Sequence, residues 1–216
     1  MTRSRARRRA WHFAAAAVAS LGVVACSASP TLPPITTPSP TPIVTPDARN
    51  CPTSAPDPLP AGETRTVTIA TAKGTITIKV EADLGPRAAG NFVALAECGF
   101  FEGVVFHRLA PGFVIQGGDP TGTGSGGPGY EFPNDAVNVP YVRGVVAMAN
   151  AGLDTNGSQF FIVLADAGLP PDYSVFGRVT AGMETVDAIA AMPNSGPPNN
   201  LAIEPVAMDS VTVANP

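Results

Sequence analysis

The chain predicts a mainly β domain, an antiparallel barrel or sandwich carrying two helices, on three observations. Short apolar runs recur at 104–109, 113–116, 145–149, 159–164 and 174–179, each broken by Gly, Pro or Asn. Polar residues alternate with Val or Ile over Thr66–Thr71 and again over Thr75–Val80. Only two stretches have helical spacing, and many short strands with two helices suggest an antiparallel barrel or sandwich.

Two segments precede that domain. Residues 1–25 open with Arg3, Arg5, Arg7, Arg8 and Arg9 and continue in the apolar run Phe13–Ala25, too short for a permanent membrane span. They predict a signal peptide. Val23-Val24-Ala25-Cys26 resembles the lipobox of bacterial lipoproteins, which implies diacylation of Cys26 and a membrane anchor there. From Ser27 to Pro60 the chain holds 11 prolines among Thr and Ser. Such a stretch has too little apolar surface to offset the entropy of folding, and residues 26–60 read as an extended tether.

Removal of the signal leaves 8 Lys and Arg against 17 Asp and Glu, a net charge of −9. Phosphate backbones are bound by Lys and Arg, so nucleic acid is excluded as a partner. The mature chain keeps one histidine, His107, which rules out His-rich metal centres, and no metal or cofactor is expected. Cys51 and Cys98 form an even pair in a compartment where disulfides persist; sequence leaves them either bridged or free.

The domain is expected over residues 61–216. The alternating runs 66–71 and 75–80 flank Ala72-Lys73-Gly74 and predict a hairpin. Pro86 suits a first helical position, Ala89, Phe92, Val93 and Ala96 follow on one face, and Gly99 suits the helix end. The five short runs then predict strands, Met183–Ala191 predicts a second helix, and Asp209–Val213 a closing strand. Gly122-Thr-Gly-Ser-Gly-Gly127 fits a dinucleotide-binding pattern by letter, but Pro128-Gly129 follows it where a helix would have to start. No serine lies in a Gly-x-Ser-x-Gly elbow.

Three blocks remain: FHRLAPGFVIQGGD over 106–119, MANAGLDTNGSQFFI over 148–162 and SVFGRV over 174–179. In this order and at these separations the chain resembles the cyclophilin family of peptidyl-prolyl cis-trans isomerases over residues 65–213. The resemblance implies a closed eight-stranded antiparallel β-barrel capped by two helices, with a peptide groove on its outer face. It also implies partners that are X-Pro-containing polypeptides; the export signal places these, folding or exposed, on the extracytoplasmic side, and a monomer is the default expectation.

The chemistry accounts for the residue types. Twisting an X-Pro amide breaks its resonance against a barrier of ~18–20 kcal/mol. The twisted nitrogen regains a lone pair that a fixed cation can stabilise better than it does the planar states. The resemblance assigns that role to Arg108, with Phe113 and Gln116 completing the catalytic set. An acceleration of 10⁵ would ask about 7 kcal/mol of the site. Val114, Phe161 and Leu169 match the apolar slot for the proline ring together with Phe113. Asn150, between Ala149 and Ala151, matches the segment that pairs with the peptide before the proline, and Gln159 a further groove residue. His107 matches a packing and hydrogen-bonding histidine beside the site. Two departures stand out: Gly168 stands where many eukaryotic members carry a tryptophan and Tyr173 where they carry a histidine, which implies weak cyclosporin binding. A chaperone or adhesion module that binds proline segments with little catalysis is the rival reading, and a retained Arg108 favours the enzyme.

Overall fold

The computed structural model describes residues 50–215. The expected signal peptide, Cys26 and the tether up to residue 49 lie outside the described residues.

The chain opens with β1 (Thr64–Thr71) and β2 (Gly74–Glu81), paired from Thr64↔Glu81 to Thr71↔Gly74 around a two-residue turn. Helix α1 (Pro86–Glu97) follows, then β3 (Val105–Ala110), β4 (Val114–Gly117), β5 (Val145–Met148), β6 (Phe160–Val163) and β7 (Val175–Ala181). Helix α2 (Met183–Ala190), β8 (Leu201–Ala207) and β9 (Ser210–Ala214) complete it. All pairings are antiparallel, in the order β8-β3-β4-β6-β5-β7-β2-β1-β9.

This corrects the closed eight-stranded barrel. The sheet has nine strands and curls into an open half-barrel, because its two edges, β8 and β9, do not pair with each other; they belong to one stretch of chain that breaks at Met208-Asp209. There Met208 N–H donates to Val104 O (2.9 Å) and Asp209 N–H to Ala70 O (2.8 Å), so the backbone turns from one edge to the other. β8 itself was absent from the sequence expectation. Pro205 interrupts it and Leu201 and Ile203 are exposed, the pattern of an edge strand without an apolar face to give it away.

Helix α1 starts at Pro86 with no side-chain cap of its own. The buried Asp135 carboxylate supplies one from a distance, accepting Ala88 N–H at 2.9 Å and Arg87 N–H at 3.3 Å. At the far end Gly99 takes φ +75°, and Phe100 N–H reaches back to Leu95 O (2.9 Å), closing the last turn. The buried face of α1 carries Ala88, Ala89, Phe92, Leu95 and Ala96 into the main core. Phe92 sits at its centre, 4.7 Å from Phe176 and 5.1 Å from both Phe101 and Phe160.

A domain boundary at residue 61 falls too late. Leu59 is buried in the main core and its N–H donates to Pro86 O (2.9 Å). The segment crosses α1 at Gly90, where a β-carbon would collide with Asp57 O. Cys51 is bridged to Cys98, with Cα atoms 5.2 Å apart, which pins the start of the domain to the end of α1. A proline-rich composition conceals this, since a single leucine, one glycine and one cysteine carry the attachment.

Candidate active site

Alternation along the central strands separates two apolar clusters. Ile115, Phe160, Ile162, Val146 and Met148 point to the main core, while Val114, Phe161, Val163, Val145 and Ala147 point outward into a second, smaller cluster. Register then sets a row across four strands on that outer face: Arg108 opposite Gln116, Gln116 opposite Phe161, and Phe161 opposite Ala147.

A polarised chain of hydrogen bonds runs from this row. Arg108 Nη1 donates to Gln116 Oε1 (3.4 Å), Gln116 Nε2 to Gln159 Oε1 (2.9 Å), and Gln159 Nε2 to both Gly124 O (3.0 Å) and Gly126 O (2.9 Å). Each amide has its oxygen toward a donor, so the order of donors fixes Gln116 with its carbonyl facing the guanidinium. The Arg108 carbon Cζ lies 6.0 Å from the centroid of the Phe113 ring. Among the described residues Arg108 makes no ion pair, so its charge faces the slot uncompensated.

The slot beside it is aromatic. Phe161 and Tyr173 meet edge to face at 5.6 Å, with interplanar angle 82°. Tyr141, which sequence reasoning missed because it lies in a loop without periodicity, backs both rings at 6.4 and 6.3 Å. Its hydroxyl donates to Tyr173 O (2.8 Å) and accepts from Tyr173 N–H (3.0 Å). Phe113, Leu169 and Ala149 are half-buried members of the same cluster, and Val114 is buried within it. Gly168 has open space around it.

Next to the slot opens a cleft of about 640 Å³, with Gln116, Gln159, Ala149, Asn150 and Ala151 in its lining and the glycine segment 124–129 along one wall. The Asn150 side chain turns away to Asp172 O (2.9 Å) and Asn156 Oδ1 (3.4 Å), and Ala151 N–H donates to Thr155 Oγ1 (2.9 Å). The glycine wall is held by Asp119, buried completely, whose carboxylate accepts N–H groups of Thr121 (2.7 Å) and Gly124 (2.6 Å). Burial pushes this carboxyl up, but the bonds from Thr121, Gly126 and Gly124 outweigh it and hold it below its ordinary value. A β-carbon at Gly126 would collide with Asp119 Oδ1. The glycine density that resembled a dinucleotide motif thus serves a tight wrap around one carboxylate.

His107 is a packing residue, 3% exposed, and departs from expectation in one respect: neither ring nitrogen has a hydrogen-bond partner. The register of β3 on β8 jumps between Phe106 and Arg108, which tucks the intervening imidazole inward, and a β-carbon on Gly124 would lie 3.8 Å from its Cδ2 and Nε2. Burial lowers its pKa; the Asp119 carboxylate opposes this, Arg108 adds to it, and the Val105 backbone opposes it from outside hydrogen-bond geometry.

A curled antiparallel half-barrel, an uncompensated arginine and an aromatic slot beside a peptide-sized cleft define a groove-binding enzyme of the prolyl isomerase class. The chain belongs to the cyclophilin type peptidyl-prolyl cis-trans isomerase family, whose model matches residues 66–213. It is 40% identical over 172 residues to a probable peptidyl-prolyl cis-trans isomerase A of Mycobacterium leprae, spanning 69% of this chain and 92% of that one. It is 41% identical over 169 residues to peptidyl-prolyl cis-trans isomerase B of Streptomyces anulatus, spanning 68% of this chain and 94% of that one. Against a probable isomerase B of Mycobacterium tuberculosis it is 44% identical over 141 residues, and there it spans only 46% of the relative. A crystal structure of a Cryptosporidium parvum cyclophilin aligns with TM-score 0.66 and 33% identity, covering 71% of this chain and 99% of that one. A second structure of that protein was determined in the presence of the dipeptide Ala-Pro.

Proposed function

We propose that this isomerase works outside the cytoplasmic membrane, anchored through lipidated Cys26, on X-Pro bonds of folding or exposed polypeptides. The observation that carries the catalytic reading is Arg108, held by Gln116 at the rim of the Phe113–Phe161 slot without a carboxylate to neutralise it. The proline ring enters the slot, which excludes water and lowers the local dielectric. One Arg108 N–H is spent on Gln116. The rest of the guanidinium is left to donate to the imide nitrogen, whose lone pair exists only in the twisted geometry, so the stabilisation falls on the transition state. The peptide before the proline runs along Ala149-Asn150-Ala151, whose side-chain and backbone partners keep that segment in place. No bond to the substrate is made or broken, and no cofactor enters. The −9 charge of the mature chain sets it apart from nucleic-acid binders and suits a soluble domain acting as a monomer.

The test is exchange NMR of a short X-Pro peptide with the wild type and Arg108→Ala. The enzyme reading expects exchange to fall by about 10²–10³ in the variant while peptide binding persists. A wild type that binds peptide but leaves exchange at the uncatalysed rate would favour the chaperone or adhesion reading. Mass spectrometry of the membrane-derived N-terminus checks the anchor, with a diacylglyceryl group on Cys26 expected and an unmodified or soluble mature chain against it.

A further inference from the structure

We infer that Asn134 is a positioning residue that sets both walls of the groove at once, an inference that rests on the proposed reading of that groove. Its neighbours make it a fixed post. Phe132 is buried and pairs with Asn156 through Phe132 N–H to Asn156 O (3.0 Å) and Asn156 N–H to Phe132 O (3.3 Å). Asp135 is buried, donates its N–H to Ser174 Oγ (2.8 Å) and caps α1.

From that post the Asn134 amide reaches in two directions. Oδ1 accepts from Asn156 Nδ2 (2.7 Å) and from Asp154 N–H (3.3 Å), while Nδ2 donates to Asp172 O (2.8 Å). Its own N–H donates to Asp154 Oδ1 (2.8 Å), making a reciprocal pair. That pair holds Asp154 at φ +62°, a left-handed geometry a non-glycine residue adopts at a cost. The Asp172 carbonyl belongs to the peptide unit leading into Tyr173, and the Asn150 side chain shares it as acceptor (2.9 Å). One amide therefore ties the aromatic wall of the slot, through Asp172-Tyr173, to the segment 150–156 that borders the cleft. Asn134 is not in the cleft lining, and its hydrogen bonds run to Asp154, Asn156 and Asp172, not to the Arg108–Gln116–Gln159 chain.

This separation gives the inference its signature. Loosening the walls weakens the planar and twisted states of the peptide alike, which raises KM and leaves kcat alone. Loss of folded enzyme does the opposite, lowering apparent kcat at constant KM. The experiment measures kcat and KM for a short X-Pro peptide by exchange NMR, and its Kd by titration, for wild type, Asn134→Ala and Asn134→Asp. Asn134→Ala is expected to raise KM and Kd about fivefold, the loss of roughly one net hydrogen bond, with kcat within about twofold. Asn134→Asp keeps the acceptor side but sets a carboxylate oxygen against Asp172 O and a second negative charge beside Asp154, so its rise is at least as large; it also serves if the alanine variant fails to fold. Unchanged KM and Kd in the folded variants, or a fall in kcat alone, would overturn the inference. A wild type without catalysis would overturn the isomerase reading instead, and the Kd comparison would still decide the role of Asn134.

Discussion

The Tyr141 hydroxyl grips both backbone polar groups of Tyr173, donating to its carbonyl at 2.8 Å and accepting its N–H at 3.0 Å. A phenol thereby replaces a strand partner for a residue in a loop, and the ring that closes the slot is fixed by its main chain. Tyr141→Phe keeps the ring packing and removes the hydroxyl, leaving two backbone groups to find water. KM for an X-Pro peptide is expected to rise about three- to tenfold, the worth of a net hydrogen bond or slightly more. Steady-state NMR exchange would show it, and an unaltered KM would count against Tyr141 as the support of the slot.

Gln159→Leu cuts the polarised chain at its middle. Gln116 Nε2 and the Gly124 and Gly126 carbonyls lose their partner together, and Gln116 is free to rotate its oxygen away from Arg108. A drop of about tenfold in kcat is expected, since the guanidinium loses the group that aims it. Should kcat hold while KM alone changes, Arg108 does not depend on this chain for its orientation.

Acidification should destabilise the domain through His107. Burial lowers its folded pKa below 6.5, so the unfolded chain binds the proton more readily. The stability this group contributes is present above about pH 6.5 and is lost as pH falls from there through the lowered folded value. Denaturant midpoints near about pH 7.5 and about pH 5 are expected to differ less for His107→Leu than for the wild type. Equal differences would assign the acid sensitivity to another group.

Cyclosporin should bind weakly, as the departures at Gly168 and Tyr173 suggest. Gly168 is exposed, with nothing within 4 Å of where a β-carbon would stand, so a large side chain has room there. Gly168→Trp is expected to tighten calorimetric affinity for the drug by about tenfold or more, as an aromatic contact and an indole donor are added. Nanomolar binding by the wild type would refute the premise.

The disulfide closes a sequence separation of 47 residues, and both cysteines pack on the main core and not on the slot cluster. Its removal in Cys51→Ser/Cys98→Ser should cost about 4 kcal/mol by loop-closure entropy, read from denaturant curves. Turnover in the folded variant should stay within about twofold, since the bridge constrains mainly the unfolded chain.

Much of this was legible in sequence, and the reasons differ by residue. Val/Ile alternation predicted β1 and β2, and Pro86 with Gly99 bracketed α1, because those signals are local. The outward row from Arg108 to Ala147 needed family resemblance, since periodicity assigns alternate faces to a strand without saying which face is water and which is core. Tyr141 and Asn134 escaped both, as each acts from a loop through partners about 20 to 40 positions away, where no spacing rule reaches. β8 escaped because an edge strand interrupted by Pro205 needs no apolar stripe.

The position of β8 and β9 has a consequence for synthesis. The two margins of the sheet, along β3 and β1, are covered by β8 and β9, which follow every other strand of the sheet in the chain, so a chain threading out N-terminus first leaves both hydrogen-bonding borders open until Leu201–Ala214 has emerged. A chain cut short before Ser210 would leave the β1 side unsealed and invite pairing with neighbouring chains.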